Sequence, residues 1–111
     1  MSEIRFVNLT PHALTIYKDG EIAYEIPTSG NVARRAVSEE IVGEVNGTTL
    51  ARTVFGEAEG VPTPEEGVMY VVSRLVKDGL AEREDVICPD TGKTAVRDEG
   101  GRILGVTRFT Y

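Results

Sequence analysis

The sequence predicts an α+β fold, a mostly antiparallel β-sheet of short strands and hairpins with one short helix near residues 73–80. Valine, isoleucine, threonine and glycine recur between turn signals, a composition that favours strands over long helices. Apolar and polar residues tend to alternate in the first half, and only one later segment has the three-and-four spacing of a helix. The length of 111 residues corresponds to a single domain, residues 1–111.

The first half is predicted to form hairpins joined by tight turns. Lys18-Asp19-Gly20 and Asn46-Gly47 are turn signals of the kind that joins antiparallel strands. The charged group Ser38-Glu39-Glu40 is expected to interrupt an extended stretch, and residues 56–67, rich in Gly, Pro and Glu, to form a surface loop. Strands are expected over residues 4–8, 13–17, 21–26, 32–37, 41–45 and 48–55.

The second half is predicted to hold the helix and a second hairpin. The apolar run 68–72 reads as a strand that leads into a helix of about two turns, ending near Gly79 because glycine is a poor helix former. Residues 85–89 read as a short strand or an extended link, and residues 94–97 as a strand. The turn Asp98-Glu99-Gly100-Gly101 should lead into a closing strand over residues 102–111, with Ile103, Phe109 and Tyr111 on one face.

Charge and cysteine content narrow the class of protein. Twelve basic and eighteen acidic residues give a formal net charge of −6, which argues against binding long nucleic acids or anionic membranes. Cys88 is the only cysteine and His12 the only histidine, so neither an internal disulfide nor the usual zinc site is expected. No stretch approaches the roughly 18 apolar residues of a membrane span. The sequence therefore predicts a cytoplasmic protein without metal or other cofactor.

The residue types give little support for catalysis. Only His12 offers an imidazole base, and it stands beside Pro11 in an expected turn. Cys88 has an apolar setting that is typical of a small buried side chain rather than of a reactive thiolate. Neighbouring carboxylates such as Glu39-Glu40 are more typical of a solvated face than of a catalytic pair. We therefore expect no catalytic residues and no enzyme activity.

Arginines are the side chains best suited to binding a ligand, because several occur among expected strand residues. A guanidinium on the inward or interface face of a sheet is costly unless paired, and its planar fork suits carboxylate or phosphate oxygens. Together with Tyr70, which can stack on a flat ring, arginines could bind a nucleotide-like anion. The alternative is surface salt bridging with the surplus of Asp and Glu. Arg97-Asp98, a donor fork beside an acceptor, is a candidate for contacting phosphate and ribose hydroxyl together.

Several sequence blocks in the same order resemble a family of small phage and prophage proteins. The blocks are Phe6-Val7-Asn8-Leu9-Thr10-Pro11-His12, Ile26-Pro27-Thr28-Ser29-Gly30, Val32-Ala33-Arg34, Tyr70-Val71-Val72-Ser73, Pro89-Asp90-Thr91 and Val96-Arg97-Asp98. The chain is similar to the anti-Thoeris sponge proteins. Phages use these proteins to sequester glyco-cyclic ADP-ribose, a signal that a bacterial TIR-domain enzyme makes upon infection.

The resemblance implies a non-enzymatic binder that holds the signal intact in a pocket between subunits. It implies that Tyr70 stacks on adenine and that Arg97 and Asp98 contact phosphate and ribose. For a further phosphate-binding arginine it suggests Arg52 first and Arg34 second. Asp78 matches a polar position near the end of the helix where the family would have an amide. The family also implies a homo-oligomer, a dimer or hexamer, in the host cytoplasm, and some members capture cyclic oligonucleotides.

Two other functions remain open from the sequence. A structural or accessory protein of the phage particle, with no small-molecule ligand, would use a valine-rich strand edge for assembly. A hydrolase of the same cyclic nucleotide signal would need a cluster of metal ligands, and the single histidine of the chain argues against such a cluster. Capture of the signal without cleavage is the function that the resemblance favours.

Overall fold

The computed structural model describes residues 3–111 and confirms the predicted fold class, with mostly β-structure and one short helix. No helix of this part of the chain has the length and apolar character needed to cross a membrane. In chain order the elements are β1 (Arg5–Asn8), β2 (Leu14–Lys18), β3 (Glu21–Ile26), β4 (Arg34–Val45), β5 (Thr48–Glu59), β6 (Val68–Val71), α1 (Arg74–Asp78), β7 (Val86–Pro89), β8 (Val96–Arg97), β9 (Ile103–Gly105) and β10 (Phe109–Thr110).

A mixed four-stranded sheet forms the centre, with the order β1-β6-β7-β10. Strand β1 pairs in parallel with β6, and β6 pairs in parallel with β7. Only β10 joins in the antiparallel sense, with Thr110 opposite Cys88. The β6–β7 connection contains α1, as expected because parallel neighbours need a crossover rather than a tight turn. The other strands form three hairpins, β2–β3, β4–β5 and β8–β9.

The central sheet buries apolar side chains on both faces. In β1, Phe6 and Val7 point to opposite faces because successive strand residues alternate. Val7 packs against one cluster and Phe6 against the other. The first cluster contains Leu9, Ala33, Val68, Tyr70, Val72, Val76 and Val86. The second contains Ile16, Ile26 and Val106, with Phe6, Leu14 and Phe109 packed against it. Burial on both faces explains why β6 and β7 are almost continuously apolar.

Both predicted two-residue turns are confirmed. Asp19 and Gly20 have φ of 53° and 81°, and Asn46 and Gly47 have φ of 50° and 80°. Positive φ at both central residues is what a type I′ turn requires, and its twist matches that of the flanking strands. The turns therefore join β2 to β3 and β4 to β5, as the sequence indicates.

The predicted helix is confirmed, although α1 has only five residues. The Ser73 hydroxyl accepts a hydrogen bond from the main-chain N–H of Val76 and so caps the first turn. Gly79 is the C-terminal cap, as predicted. A side chain at Gly79 would come within 3.0 Å of the Arg35 guanidinium and 3.2 Å of the Ala58 Cβ. A small residue there thus allows α1 to pack against the base of the β4–β5 hairpin.

The β4–β5 hairpin is longer than the sequence predicts. Ser38-Glu39-Glu40 lies within β4 instead of interrupting it, and β5 continues to Glu59 into the segment expected to be a loop. Both faces of this two-stranded ribbon are mostly exposed, so charged residues and glycine carry little burial penalty along it. A twelve-residue strand spans about 40 Å. The radius of gyration is accordingly 17.0 Å, against about 13 Å for a compact domain of this length.

The prediction of one continuous closing strand over residues 102–111 is wrong, because this segment forms two separate strands, β9 and β10. Val106, which follows β9, does not pair with β8. Its main-chain N–H donates to the Thr15 oxygen, and its oxygen accepts from the Tyr17 N–H, both in β2. The expected common face is consequently divided. Phe109 packs against Phe6 at 5.3 Å between ring centroids, whereas the Tyr111 ring lies 4.9 Å from the Lys77 ammonium.

Candidate functional site

A surface groove of about 470 Å³ lies where β9 packs against β2. Its walls come from residues 12–15, from residues 102–106, and from Pro89 and Thr91. The volume falls within the roughly 300–1,000 Å³ of small-molecule sites in proteins. His12, Thr91 and Arg102 supply polar groups, and the rest of the lining is largely aliphatic. The groove can therefore hold a ligand that has both a charged and an apolar part.

The close approach of β9 to β2 shapes this groove. A side chain at Gly105 would place its Cβ 2.5 Å from the Thr15 main-chain oxygen and 2.6 Å from the Tyr17 ring. Such contacts are below van der Waals distance, so only glycine fits without movement of one strand. Two main-chain hydrogen bonds hold the strands at this distance, from Val106 to the Thr15 oxygen and from Tyr17 to the Val106 oxygen.

Arg97 and Asp98 lie at the turn of the β8–β9 hairpin, beside the groove. The Arg97 guanidinium donates to the main-chain oxygens of Gly101 at 3.0 Å and Thr91 at 2.9 Å. The Asp98 carboxylate accepts hydrogen bonds from the main-chain N–H groups of Gly100 and Arg102, both at 2.9 Å. Since Thr91 and Arg102 line the groove, this pair holds two of its walls together.

The segment that carries this hairpin is basic although the chain is acidic. Residues 91–111 contain four basic and two acidic side chains, whereas the whole sequence contains 12 and 18. Charges concentrated beside a cleft determine the local potential more than the net charge does. The groove thus lies beside a segment with a local excess of basic side chains.

Arg108 is engaged by a carboxylate next to the groove. Its Nε donates to Asp90 Oδ2 at 2.6 Å, and Asp90 Oδ1 accepts from the main-chain N–H of Gly92 at 3.0 Å. The hydrogen bond from Arg108, followed by that from Gly92, lowers the pKa of Asp90. The pair joins the segment between β7 and β8 to the residue before β10, and Arg102 is the arginine in the groove lining.

Tyr70, the expected stacking residue, lies in the core with only 3% of its surface exposed. Its hydroxyl donates to the Thr63 main-chain oxygen at 3.3 Å, and the Arg83 guanidinium carbon is 5.8 Å from the ring centroid. The ring presents no face at the surface of a single chain. Its contact with a ligand stays a prediction, one that would require movement of its neighbours.

The structure does not bring Arg34, Arg52 and Asp78 into the groove with Arg97 and Asp98. Arg34 and Arg52 lie on the long hairpin, opposite Glu59 and Glu40 respectively. Asp78, at the end of α1, forms an ion pair with Arg74, whose Nε lies 3.2 Å from Asp78 Oδ1. Within one chain these three residues and the β8–β9 turn form separate surfaces, so their joint contact with one ligand stays a prediction.

The groove contains His12 and Arg102, two residues for which sequence reasoning offered no binding role. His12 was expected to stand in a turn beside Pro11, and Arg102 follows a glycine pair with no motif around it. Their proximity depends on the β2–β9 contact, for which the sequence carries no local signal. Cys88 is fully buried and contacts Arg74 and the Thr110 oxygen, in agreement with the expectation of a buried side chain.

Within residues 3–111, no group of three or more His, Cys, Asp or Glu side chains could hold a metal ion. The chain matches no protein-family model, and neither curated proteins nor solved structures show a significant match to it. The fold and the groove are therefore described from the structure alone, and any functional assignment depends on the chemistry of the residues that line the groove.

Proposed function

We propose that this protein is a phage-encoded anti-defence protein that binds a cyclic ADP-ribose-type signal, glyco-cyclic ADP-ribose, and sequesters it without cleavage. The groove beside the β8–β9 hairpin, with arginines in a locally basic segment of an acidic chain, is the observation that carries this proposal. Such a ligand combines two phosphates, an adenine and ribose hydroxyls. Capture therefore needs charge-assisted hydrogen bonds and an apolar surface, both of which the groove supplies.

Arg97 and Asp98 contribute to binding at the rim of the groove. Arg97 already donates to two main-chain oxygens, which orients its guanidinium and reduces the entropy lost when further bonds form. Asp98 uses one carboxylate oxygen, Oδ1, for the turn, so Oδ2 remains for a ribose hydroxyl. This arrangement supports tight binding with slow release rather than turnover.

A second copy of the chain encloses the ligand, because the groove is open and the long hairpin is largely unpacked. Large apolar side chains are exposed along β4 and β5, among them Ile41 at 68%. A two-stranded hairpin alone is marginally stable in water, so an exposed ribbon of this length favours association. The exposed apolar residues of the ribbon are Val37, Ile41, Val42, Val45, Leu50, Val54 and Phe55.

The proposal is tested by incubating purified protein with glyco-cyclic ADP-ribose, removing free ligand by filtration and heating the retained fraction. Mass spectrometry should find the signal retained before heating and released unchanged afterwards. Cleaved product that accumulates with time would instead assign a hydrolase. Absence of any retained nucleotide, together with detection of the protein in purified phage particles, would assign a structural or accessory role.

The assembly is tested by light scattering after size exclusion. We expect a dimer or a hexamer for the wild type and smaller species for Ile41→Glu, which places a charge on the exposed face of the hairpin. Glu39→Gln, on the same face, is the matched control and should assemble as the wild type does. If the wild type is a monomer and still retains the nucleotide, a binding site shared between two copies is wrong.

A further inference from the structure

We infer that Arg102 and His12 form the phosphate-contacting pair of the β9 groove and that the ligand they accept is a nucleoside diphosphate. That this nucleoside diphosphate is an immune signal rests on the proposed function, whereas the evidence for the pair comes from the groove itself. Both residues line the groove, one from the β8–β9 hairpin and the other from the segment before β2.

Arg102 differs from most other arginines of the chain because its guanidinium has no hydrogen-bond or ion-pair partner within residues 3–111. Only Arg34 and Arg52 share this property among the described arginines. Each of those two faces a glutamate across the β4–β5 hairpin, Glu59 and Glu40 respectively, which lowers its attraction for an anion. Of the two carboxylates in the turn before Arg102, Asp98 is already bound to main-chain N–H groups, and Glu99 forms no ion pair with the Arg102 guanidinium within residues 3–111. Arg102 therefore retains a full donor fork at the groove.

His12 is held by a buried polar network that fixes its main chain. The Asn8 side-chain amide donates to the His12 oxygen at 2.9 Å, and the Thr10 hydroxyl donates to the same oxygen at 2.9 Å. Asn8 is 1% exposed and also donates to the Ile26 oxygen at 3.2 Å. The imidazole itself makes no hydrogen bond within residues 3–111. A side chain on such a rigid support can donate to a phosphate oxygen with little ordering cost.

The remaining lining selects a nucleoside over a simple phosphate. Leu14, Ile103 and Leu104 form the aliphatic wall, and the last two are large apolar residues exposed to solvent. A base or ribose lying on this wall would cover it while the phosphates contact Arg102 and His12. Adenosine diphosphate-type compounds have this division into an apolar end and a doubly charged end.

The test uses ADP-ribose as the probe with the full-length protein in its native assembly. Titration of ¹⁵N-labelled protein should shift the amide signals of Thr91, Leu104 and Gly105 more than those of β4 and β5. By calorimetry, Arg102→Gln and His12→Gln should each weaken binding about tenfold or more, since each removes a charged or strongly polar hydrogen bond. Arg5→Gln removes the same charge outside the groove and should bind as the wild type does.

Inorganic pyrophosphate is the second probe in this binding test. We expect it to bind at least tenfold more weakly than ADP-ribose, because it cannot use the aliphatic wall. Equal affinities would overturn the nucleoside part of the inference. Unchanged ADP-ribose affinity in both groove variants, no measurable ADP-ribose binding, or shifts confined to the long hairpin would overturn the site itself.

Failure of this inference is distinct from failure of the proposed function. If glyco-cyclic ADP-ribose is retained equally by wild type, Arg102→Gln and His12→Gln, sequestration stands and this site is wrong. If ADP-ribose binds at the groove but the cyclic signal is not retained, the site stands and sequestration is wrong. Circular dichroism of each variant should match the wild type, so that a loss of binding reports the contact.

Discussion

The guanidinium of Arg97 is joined to Thr91 by a hydrogen bond of 2.9 Å to the main-chain oxygen. A second bond, of 3.0 Å, joins it to the Gly101 oxygen, so one exposed side chain ties the β8–β9 turn to the segment that follows β7. A fork with several donors can satisfy two oxygens at once, which a lysine ammonium on a flexible stem does less rigidly. The position of the turn beside the groove thus depends on this residue.

Arg97→Met, which keeps much of the apolar stem, should loosen the turn without unfolding the protein. We expect a loss of about 1 kcal/mol in the free energy of unfolding, typical of a hydrogen bond near the surface. Amide exchange should become faster at Asp98 and Gly101, whose N–H groups bond within the turn. Arg97→Lys should give an intermediate rate. Wild-type exchange at both amides in Arg97→Met would show that the two bonds do not hold the turn.

Gly105→Ala should destabilise the protein by about 1–3 kcal/mol, the usual cost of overpacking a tight contact. The added methyl group would overlap the Thr15 oxygen and the Tyr17 ring, so β9 would have to move away from β2. Urea unfolding measures the loss. Gly101→Ala meets no atom within 4 Å but has a φ of 86°, so it tests backbone strain without a clash. Wild-type stability of Gly105→Ala would contradict the close packing of these strands.

Tyr70→Phe should change stability by no more than about 1–1.5 kcal/mol, because it removes a single hydrogen bond to Thr63. Tyr70→Ala should cost about 3–5 kcal/mol, as for other large aromatic residues truncated in a core. Denaturant titration of both variants separates the two effects. Any ligand measurement at this position should therefore use Tyr70→Phe, since loss of binding in Tyr70→Ala would also follow from loss of folding.

Acid should destabilise the protein through the pair formed by Arg83 and Asp85. Two hydrogen bonds, of 3.0 and 2.6 Å, join the guanidinium to the carboxylate and lower the pKa of Asp85. A carboxyl group with a lowered folded-state pKa contributes stability above its unfolded value of about 3.9 and loses it as the pH falls through the lowered pKa. The free energy of unfolding should consequently decline below about pH 4.

Asp85→Asn should flatten this decline, and Arg83→Gln should flatten it to a similar extent because the same hydrogen bonds lower the pKa. Urea titrations at pH 7 and pH 3 provide the comparison. Some pH dependence should persist in both variants, since Arg108 lowers the pKa of Asp90 in the same direction. An undiminished slope in both variants would mean that this pair has no part in acid sensitivity.

Much of the local architecture could be predicted because its causes lie within a few residues. Asp19-Gly20 and Asn46-Gly47 accept the positive φ of a type I′ turn, and Ser73 caps a helix through its own hydroxyl. The strand boundaries were less predictable along the long hairpin. There, solvent on both faces removes the alternation that normally marks a strand and its end.

The candidate site was less accessible to sequence reasoning. Arg97 and Asp98 could be selected because a donor fork and an acceptor stand side by side before a turn. His12 and Arg102 could not, because nothing near either residue signals the other. Tyr70 was selected for its chemistry, and its burial follows from its place in β6, between β1 and β7.

The sequence by itself determined the fold class, the tight turns and the short helix, since these depend on backbone preferences and side chains that act over a few residues. Only the tertiary structure decided that β1 pairs with β6, that β9 contacts β2 through Gly105, and that residues near both ends of the chain line one groove. Strand partners far apart in the chain are chosen by the joint burial of apolar faces. That choice depends on the whole set of packed elements, not on any one segment.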